Sequence, residues 1–526
     1  MTLTRLLVRR HRLLLASWPV LLVALCSTMT AYQDTYATEA QRRTAVELAQ
    51  QNPATTLLYG RLPDPGTPAQ LFTWEIGGFV TILAAIMAVL AAVAVTRAVE
   101  DDGSLELLRG CGIAPLQPLR SALIILAAMA GVLTTGCAAA IMASGGQVEG
   151  MTVAGAAAFG AVVGLTFLIV AAATVALAQV APTAGQARLL GFTVLGASFA
   201  VRAFADTEHV DVLNWVSPLG LRATVEPFTD DRWAALLPAL LTSAVLALTA
   251  VRLCARREFG TGLIRRHDTS TSRLRVHTTV GLIARLTRSS VLAWTVAVAA
   301  IGTLFATMGS GAVEQQRDGE IGGFLGAQLG TGDPAAGYLA YCGTLVGIVV
   351  SAFAILSILA ARRAEETGLT GLVLATGVRR WTPVAAHAGV TAAASAVILT
   401  VTGVISAMIT PAVLDGDDIA VRSLGYTIGQ WPAVTVMTGC ATLLVGAVPR
   451  LAVLAWLPLL ASSVLAMLGD LLGVPEQVQD LGFFGQVPDV AAENPHAGAL
   501  LLLTTIGAVL ILLGTFAVTR RDLRTG

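Results

Sequence analysis

Long apolar runs alternate with short polar stretches along the whole chain, and the runs match the thickness of a bilayer. A membrane-crossing helix needs about 20 predominantly apolar residues. On that measure spans are expected near 13–32, 72–96, 119–142, 152–180, 187–205 and 234–252. A second set follows near 289–308, 337–361, 384–409, 424–447, 451–469 and 497–518. The pattern therefore predicts an all-α polytopic membrane protein with twelve spans, six in each half. No polar stretch exceeds about 45 residues, too few for a soluble catalytic domain of ordinary size.

The polar stretches repeat. Residues 96–120 read TRAVEDDGSLELLRGCGIAPLQPLR and residues 361–383 read ARRAEETGLTGLVLATGVRRWTP. Superposing them pairs Arg97 with Arg362, Glu100 with Glu365, Gly103 with Gly368, Leu107 with Leu372, Gly112 with Gly377 and Pro118 with Pro383. Arg256-Arg257-Glu258 likewise matches Arg520-Arg521-Asp522, and Arg9, Arg12 and Trp18 match Arg285, Arg288 and Trp294. Two diverged copies of one unit of about 260 residues explain these pairings. The expected division is a repeat over 1–254, a basic linker over 255–276 and a second repeat over 277–526. Six is an even number, so both copies enter and leave on one side and run parallel.

Charge orients the spans. Hydrophobic residues make up 55% of the chain and charged residues 13%, far from the soluble average of about 25% charged. The 33 basic residues are all Arg, which excludes a P-loop lysine or a Schiff-base lysine. Most of them fall in alternate loops, and the other loops are acidic. The positive-inside rule then puts both termini in the cytoplasm. The six Cys are scattered, with no C-x-x-C pair and no His at metal spacing, and read as small buried hydrophobes. The first apolar run could be mistaken for a signal peptide, but the match of Trp18 with Trp294 marks it as the first span of repeat one.

Three loop types carry functional information. Basic amphipathic segments precede spans one (TLTRLLVRRHR) and seven (TVGLIARLTR) and suit helices at the inner interface. Outer loops at 206–233 and 470–496 are rich in Pro, Gly and aromatics and predict short packed helical pieces. The third type is the duplicated motif. An acidic cluster, Glu100-Asp101-Asp102 with Glu106 or Glu365-Glu366, follows a membrane helix on the side where acid is usually avoided. The helix is expected to run past the membrane until Gly112 or Gly377 breaks it, before Pro118 or Pro383 starts the next span. A charged hairpin results. A merely solvated helix end is the alternative, and retention of its Arg, Glu and Gly spacing in both copies argues against it. Within the spans no Asp or Glu is expected centrally, Glu75 lying at the outer edge of span two. An ion-driven carrier usually needs such a carboxylate.

These features resemble the permease of an ABC type-2 exporter. The R-x-x-E-[DE]-x-G pattern, Ala375-Thr376-Gly377-Val378-Arg379-Arg380-Trp381, and Ser217-Pro218-Leu219-Gly220 with Pro227-Phe228 and Asp231-Arg232-Trp233 look more specifically like the fused twelve-span permeases of tetronasin-type antibiotic and multidrug exporters. The resemblance spans the whole chain. It implies that the hairpins are coupling helices seated on two separate ATPase subunits, which would hold ATP and Mg; this chain would carry no cofactor, metal or catalytic residue of its own. By position, Arg97, Glu100, Asp101, Gly103 and Glu106, with Arg362, Glu365, Glu366, Gly368, Arg379 and Arg380, would contact the ATPases. The resemblance places a substrate path between the copies, with Trp18, Phe72, Phe79, Trp294 and Tyr338 as candidate contacts.

The expectation is thus a cell-membrane permease that exports hydrophobic or amphipathic small molecules and binds no nucleic acid. An ion-coupled secondary carrier, or a non-transporting membrane sensor or scaffold, is the alternative. The copies also differ: copy one has Ala114-Pro115 where copy two has Arg379-Arg380, and copy two has Gly371 where copy one has Glu106.

Overall fold

The computed structural model describes residues 3–39, 42, 43, 46, 56, 59–110, 112–257, 276–307, 309, 310, 313, 333–416, 418–468, 475–479, 481–489 and 498–522. Among these there are helices and turns and no strand. Twelve helical stretches are long and apolar enough to cross a membrane. The chain divides into two compact units, Met1–Thr271 and Ser272–Gly526. Most of the expected linker, residues 258–275, lies outside the described residues.

The first unit begins with α1 (Leu3–Arg10), then α2 (Arg12–Cys26) and its continuation α3 (Met29–Thr35). Next come α4 (Pro68–Val95), the short α5 (Arg97–Asp101) and α6 (Ser104–Gly110), then α7 (Gln117–Met142), α8 (Val153–Val180) and α9 (Ala184–Thr207). A one-turn α10 (Leu221–Val225) and the span α11 (Leu236–Arg256) complete it. The second unit holds α12 (Thr279–Thr307), α13 (Pro334–Glu366), α14 (Leu369–Leu374), α15 (Thr382–Ile409), α16 (Ile419–Ile428), α17 (Trp431–Ala447), α18 (Trp456–Leu468) and α19 (Gly498–Arg520).

Local chemistry sets where the second span of each unit begins. Thr67 and Gln70 form a reciprocal capping box at α4, with Pro68 in the first turn. Asp333 caps α13 by accepting from the Ala335 amide, again with proline in the first turn. Both devices satisfy amides that a helix start leaves open.

Inside each unit, small residues set the packing. Helix α8 packs against α4, α7, α9 and α11 and is apolar all round, as a helix at the centre of a bundle must be. A Cβ added at Gly164 would lie 1.9 Å from Thr134 Oγ1, so only glycine lets α8 approach α7 this closely. In the second unit α17 and α19 meet in the same way: a Cβ on Gly446 would lie 2.0 Å from the Gly514 carbonyl oxygen. The leucines left exposed on α11 and α19, such as Leu241 and Leu501, suit a hydrocarbon surround in which apolar side chains cost nothing.

Three expectations are corrected. The basic segment before span seven is no separate interfacial helix, because α12 runs unbroken from Thr279 to Thr307; in the first unit His11 leaves helical geometry and does separate α1 from α2. Span ten is interrupted at Gly429–Gln430, splitting it into α16 and α17. The hairpin helices break earlier than Gly112 and Gly377: in the first copy at Thr96 and again at Gly103, and in the second at Gly368. Glu75 is the eighth residue of α4, about 10 Å from its outer end at 1.5 Å per residue. The outer loop over 206–233 does consist of short pieces, Asp211–Trp215, Pro218–Gly220, α10 and Trp233–Ala235. Its counterpart over 470–496 is described only at 475–479 and 481–489.

Candidate functional site: the paired hairpins

Each hairpin is built on two glycines with left-handed backbone. Gly103 and Gly368 have φ of 74° and 77°, and Gly112 and Gly377 have 83° and 84°. Such values are strained for any residue with a Cβ, and glycine stands at both matched turn positions in each copy. Between them lie α6 in the first unit and α14 in the second.

Below the first turn, the base of each hairpin is a buried ion-pair cluster. Arg97 and Glu100 have side chains 1% and 4% exposed and pair at 3.0 Å. Arg257, which follows α11, donates to both oxygens of Glu100, at 2.9 and 2.6 Å, and to Gln179 at 2.9 Å. Arg97 also donates to the Pro182 carbonyl at 2.6 Å, and the Asp101 carboxylate accepts the first amide of α9, Ala184 N, at 2.5 Å. One acidic turn thus clamps the last helix of its unit and caps another. Buried charges persist only when paired this fully.

The second unit repeats the clamp with different partners. Arg521, following α19, donates to both oxygens of Glu365 at 2.6 Å each and to the Gly446 carbonyl at 2.9 Å. Arg362 turns mainly to Glu366, at 2.9 Å, and reaches Glu365 only at 4.0 Å. The pairing of Arg257 with Arg521 visible in the sequence now has a physical cause: each closes the sixth helix of its copy onto the same glutamate. Sequence alone gives these arginines no role, because the contact joins residues more than 150 positions apart.

The first hairpin has a further tie. Arg10 at the end of α1 donates to Asp102 at 2.5 Å and to Ser104 at 2.9 Å. Partial burial disfavours the Asp102 carboxylate, but the Ser104 hydroxyl and amide, with the Arg10 guanidinium, outweigh it and hold its carboxyl below the usual range.

The proposed ATPase contacts therefore divide. Arg97, Glu100 and Glu365 are buried and engaged within their own unit, and Arg362 is largely covered. Asp101, Glu106, Glu366, Arg379 and Arg380 are exposed, and Gly103 and Gly368 form the turns. Around the second hairpin's charges stand exposed apolar groups, Leu369 at 56%, Leu372 at 69% and Trp381 at 40%. Of the candidate path residues, Phe72 and Tyr338 lie in the cores of their units at 0% and 5% exposure; the Tyr338 hydroxyl donates to the Phe305 carbonyl at 2.6 Å. Trp18 and Trp294 are half-buried, Trp294 against Phe353, and Phe79 is exposed.

Twelve membrane-length helices in two units, each with a clamped hairpin, define a polytopic membrane protein. Residues 276–518 match the family model described as the C-terminal domain of the multidrug efflux system permease Rv1217c. The whole chain is similar to the multidrug efflux system permease protein Rv1217c of Mycobacterium tuberculosis (strain ATCC 25618 / H37Rv), with 33% identity covering 99% of this chain and 95% of that protein. The chain belongs to this family of ABC-type efflux permeases. It is a multi-pass protein of the cell membrane and the membrane-spanning subunit of an efflux transporter, working with partner components.

Proposed function

We propose that this permease exports hydrophobic or amphipathic compounds, several drugs among them, using ATP hydrolysed by two separate ABC-type ATPase subunits docked on the cytoplasmic hairpins. ATP and Mg belong to those subunits. The observation that carries the docking role is the combination of a rigid base with an uncovered tip. Glu100 and Glu365 tie each hairpin to the last helix of its unit, while Leu369, Leu372, Arg379 and Arg380 stand exposed on the second. A patch that mixes exposed leucines with fixed charges marks a protein partner. A lever that must transmit force to membrane helices needs a stiff root. Drug export follows from the matched relative, which is named a multidrug efflux permease.

Purification from the native membrane tests the docking. A P-loop ATPase should accompany the chain at about two copies, as expected for paired coupling helices. Charge reversal of the exposed set (Glu106, Glu366, Arg379, Arg380) should release it without lowering the melting temperature. Retention of the ATPase by the fully reversed variant would overturn the docking site.

A further inference from the structure

The outer end of the first unit holds a carboxylate that the efflux mechanism above leaves unused. Glu75 lies two turns inside α4, on the face that also carries the exposed Phe79 one turn further on. Its described hydrogen-bond partner is the Tyr32 hydroxyl, which donates to Glu75 Oε2 at 2.8 Å. Among the described residues no arginine or histidine pairs with it. A carboxylate covered in this way is costly to ionise unless a counter-charge reaches it.

A cluster of aromatic rings extends from Tyr32 and from the neighbouring positions of α4. Tyr32 lies 5.9 Å from Tyr36 and 5.5 Å from Phe72, centroid to centroid. Tyr59 meets Trp74 at 4.9 Å and Phe79 edge-on at 5.6 Å. The Trp74 indole is fixed by donating to the Gly60 carbonyl at 2.6 Å. Ring faces attract cations within about 6 Å, most strongly where water is excluded, and they accept apolar substituents that a hydrated ion would not bring. The second copy has no counterpart. Aligning Pro68 with Pro334 sets Tyr341 where Glu75 stands, and the neighbouring register sets Ala340 there.

We propose that Glu75, with Tyr32, Tyr36, Tyr59 and Phe79, forms a recognition site for lipophilic organic cations, giving this permease a preference for positively charged compounds that resides in its first copy alone. The proposal rests on the efflux reading for its biological sense. The binding itself is measurable without it.

The test uses the full chain in lipid nanodiscs without nucleotide, with tetraphenylphosphonium and the neutral triphenylphosphine oxide as probes. E75Q keeps the shape and removes the charge. It should weaken tetraphenylphosphonium binding by tenfold or more and leave the neutral probe within twofold. E75D should fall between wild type and E75Q, and it supplies the reading if E75Q does not accumulate. Y32F, which keeps the ring and the carboxylate, should retain cation binding. Unchanged cation binding in E75Q, or equal loss of both probes, would overturn the proposal. Cation binding through Glu75 with no ATP-dependent efflux in vesicles would sink the transport reading and leave the site standing. Efflux of compounds with no dependence of cation binding on Glu75 would do the reverse.

Discussion

At the scale of the residue, two glutamates carry more of the hairpin than their position on a charged loop suggests. Removing Glu100 leaves Arg97 and Arg257 facing each other in a buried place. Breaking a buried pair in this way costs roughly 3–5 kcal/mol, so Glu100→Ala should lower the melting temperature of the purified protein well beyond any surface change such as Glu106→Ala. Equal melting of the two variants would show that the cluster is not structural. Arg97 and Arg362 occupy matched positions but unequal surroundings, 1% and 16% exposed. Arg97→Ala should therefore destabilise more than Arg362→Ala in the same assay.

Asp102 gives a pH dependence of known sign. Its carboxyl is held below the usual value, near 3.9 for an unperturbed aspartate. The stabilisation is present above that value and disappears as pH falls through the lowered folded one. The pair with Arg10 is 40% and 37% exposed, so it contributes at most about 1 kcal/mol, less in salt. The melting difference between wild type and Asp102→Asn should be constant from pH 5 to 8, begin to shrink near pH 4 and be lost only below the lowered folded value. A difference that persists there would assign the effect to shape rather than charge.

At the scale of the element, the hairpin turns depend on backbone geometry more than on contacts. Nothing lies within 4 Å of a Cβ built on Gly103 or Gly368, so substitution there meets no clash and only conformational strain. Gly368→Ala should cost about 1–2 kcal/mol and Gly368→Asn less, because asparagine tolerates the left-handed region better. Thermal unfolding distinguishes them, and an alanine variant as stable as wild type would refute the strain. The helices themselves were legible from the apolar runs, because a bilayer imposes a length that sequence displays directly. The breaks were less so. Nothing in the apolar pattern marks Gly429–Gln430 within span ten. The basic character of residues 279–288 cannot show whether they continue α12 or bend away from it.

At the scale of the whole molecule, each unit buries its own core. In the first, Phe72, Phe159 and Phe167 are fully enclosed among residues of that unit; in the second, Ile355, Met437 and Phe484 are. Units with separate cores should fold separately. Expressed as two polypeptides, residues 1–257 and 276–526 should each insert and show a cooperative helical melt in detergent. Failure of both to accumulate would mean that neither core suffices alone.

The sequence by itself determined the class of molecule: the number of spans, the duplication and the acidic hairpins all follow from local pattern, which reads period and length without reference to distant residues. Tertiary structure decided which charges do what. Glu100 and Glu106 look alike in sequence, yet one is sealed beneath Arg257 and the other faces outward. Nothing in the sequence around Glu75 shows that Tyr32, 43 positions earlier, donates to its carboxylate. Burial of a charge depends on what the rest of the chain brings to it, and those partners arrive from helices far apart in the sequence.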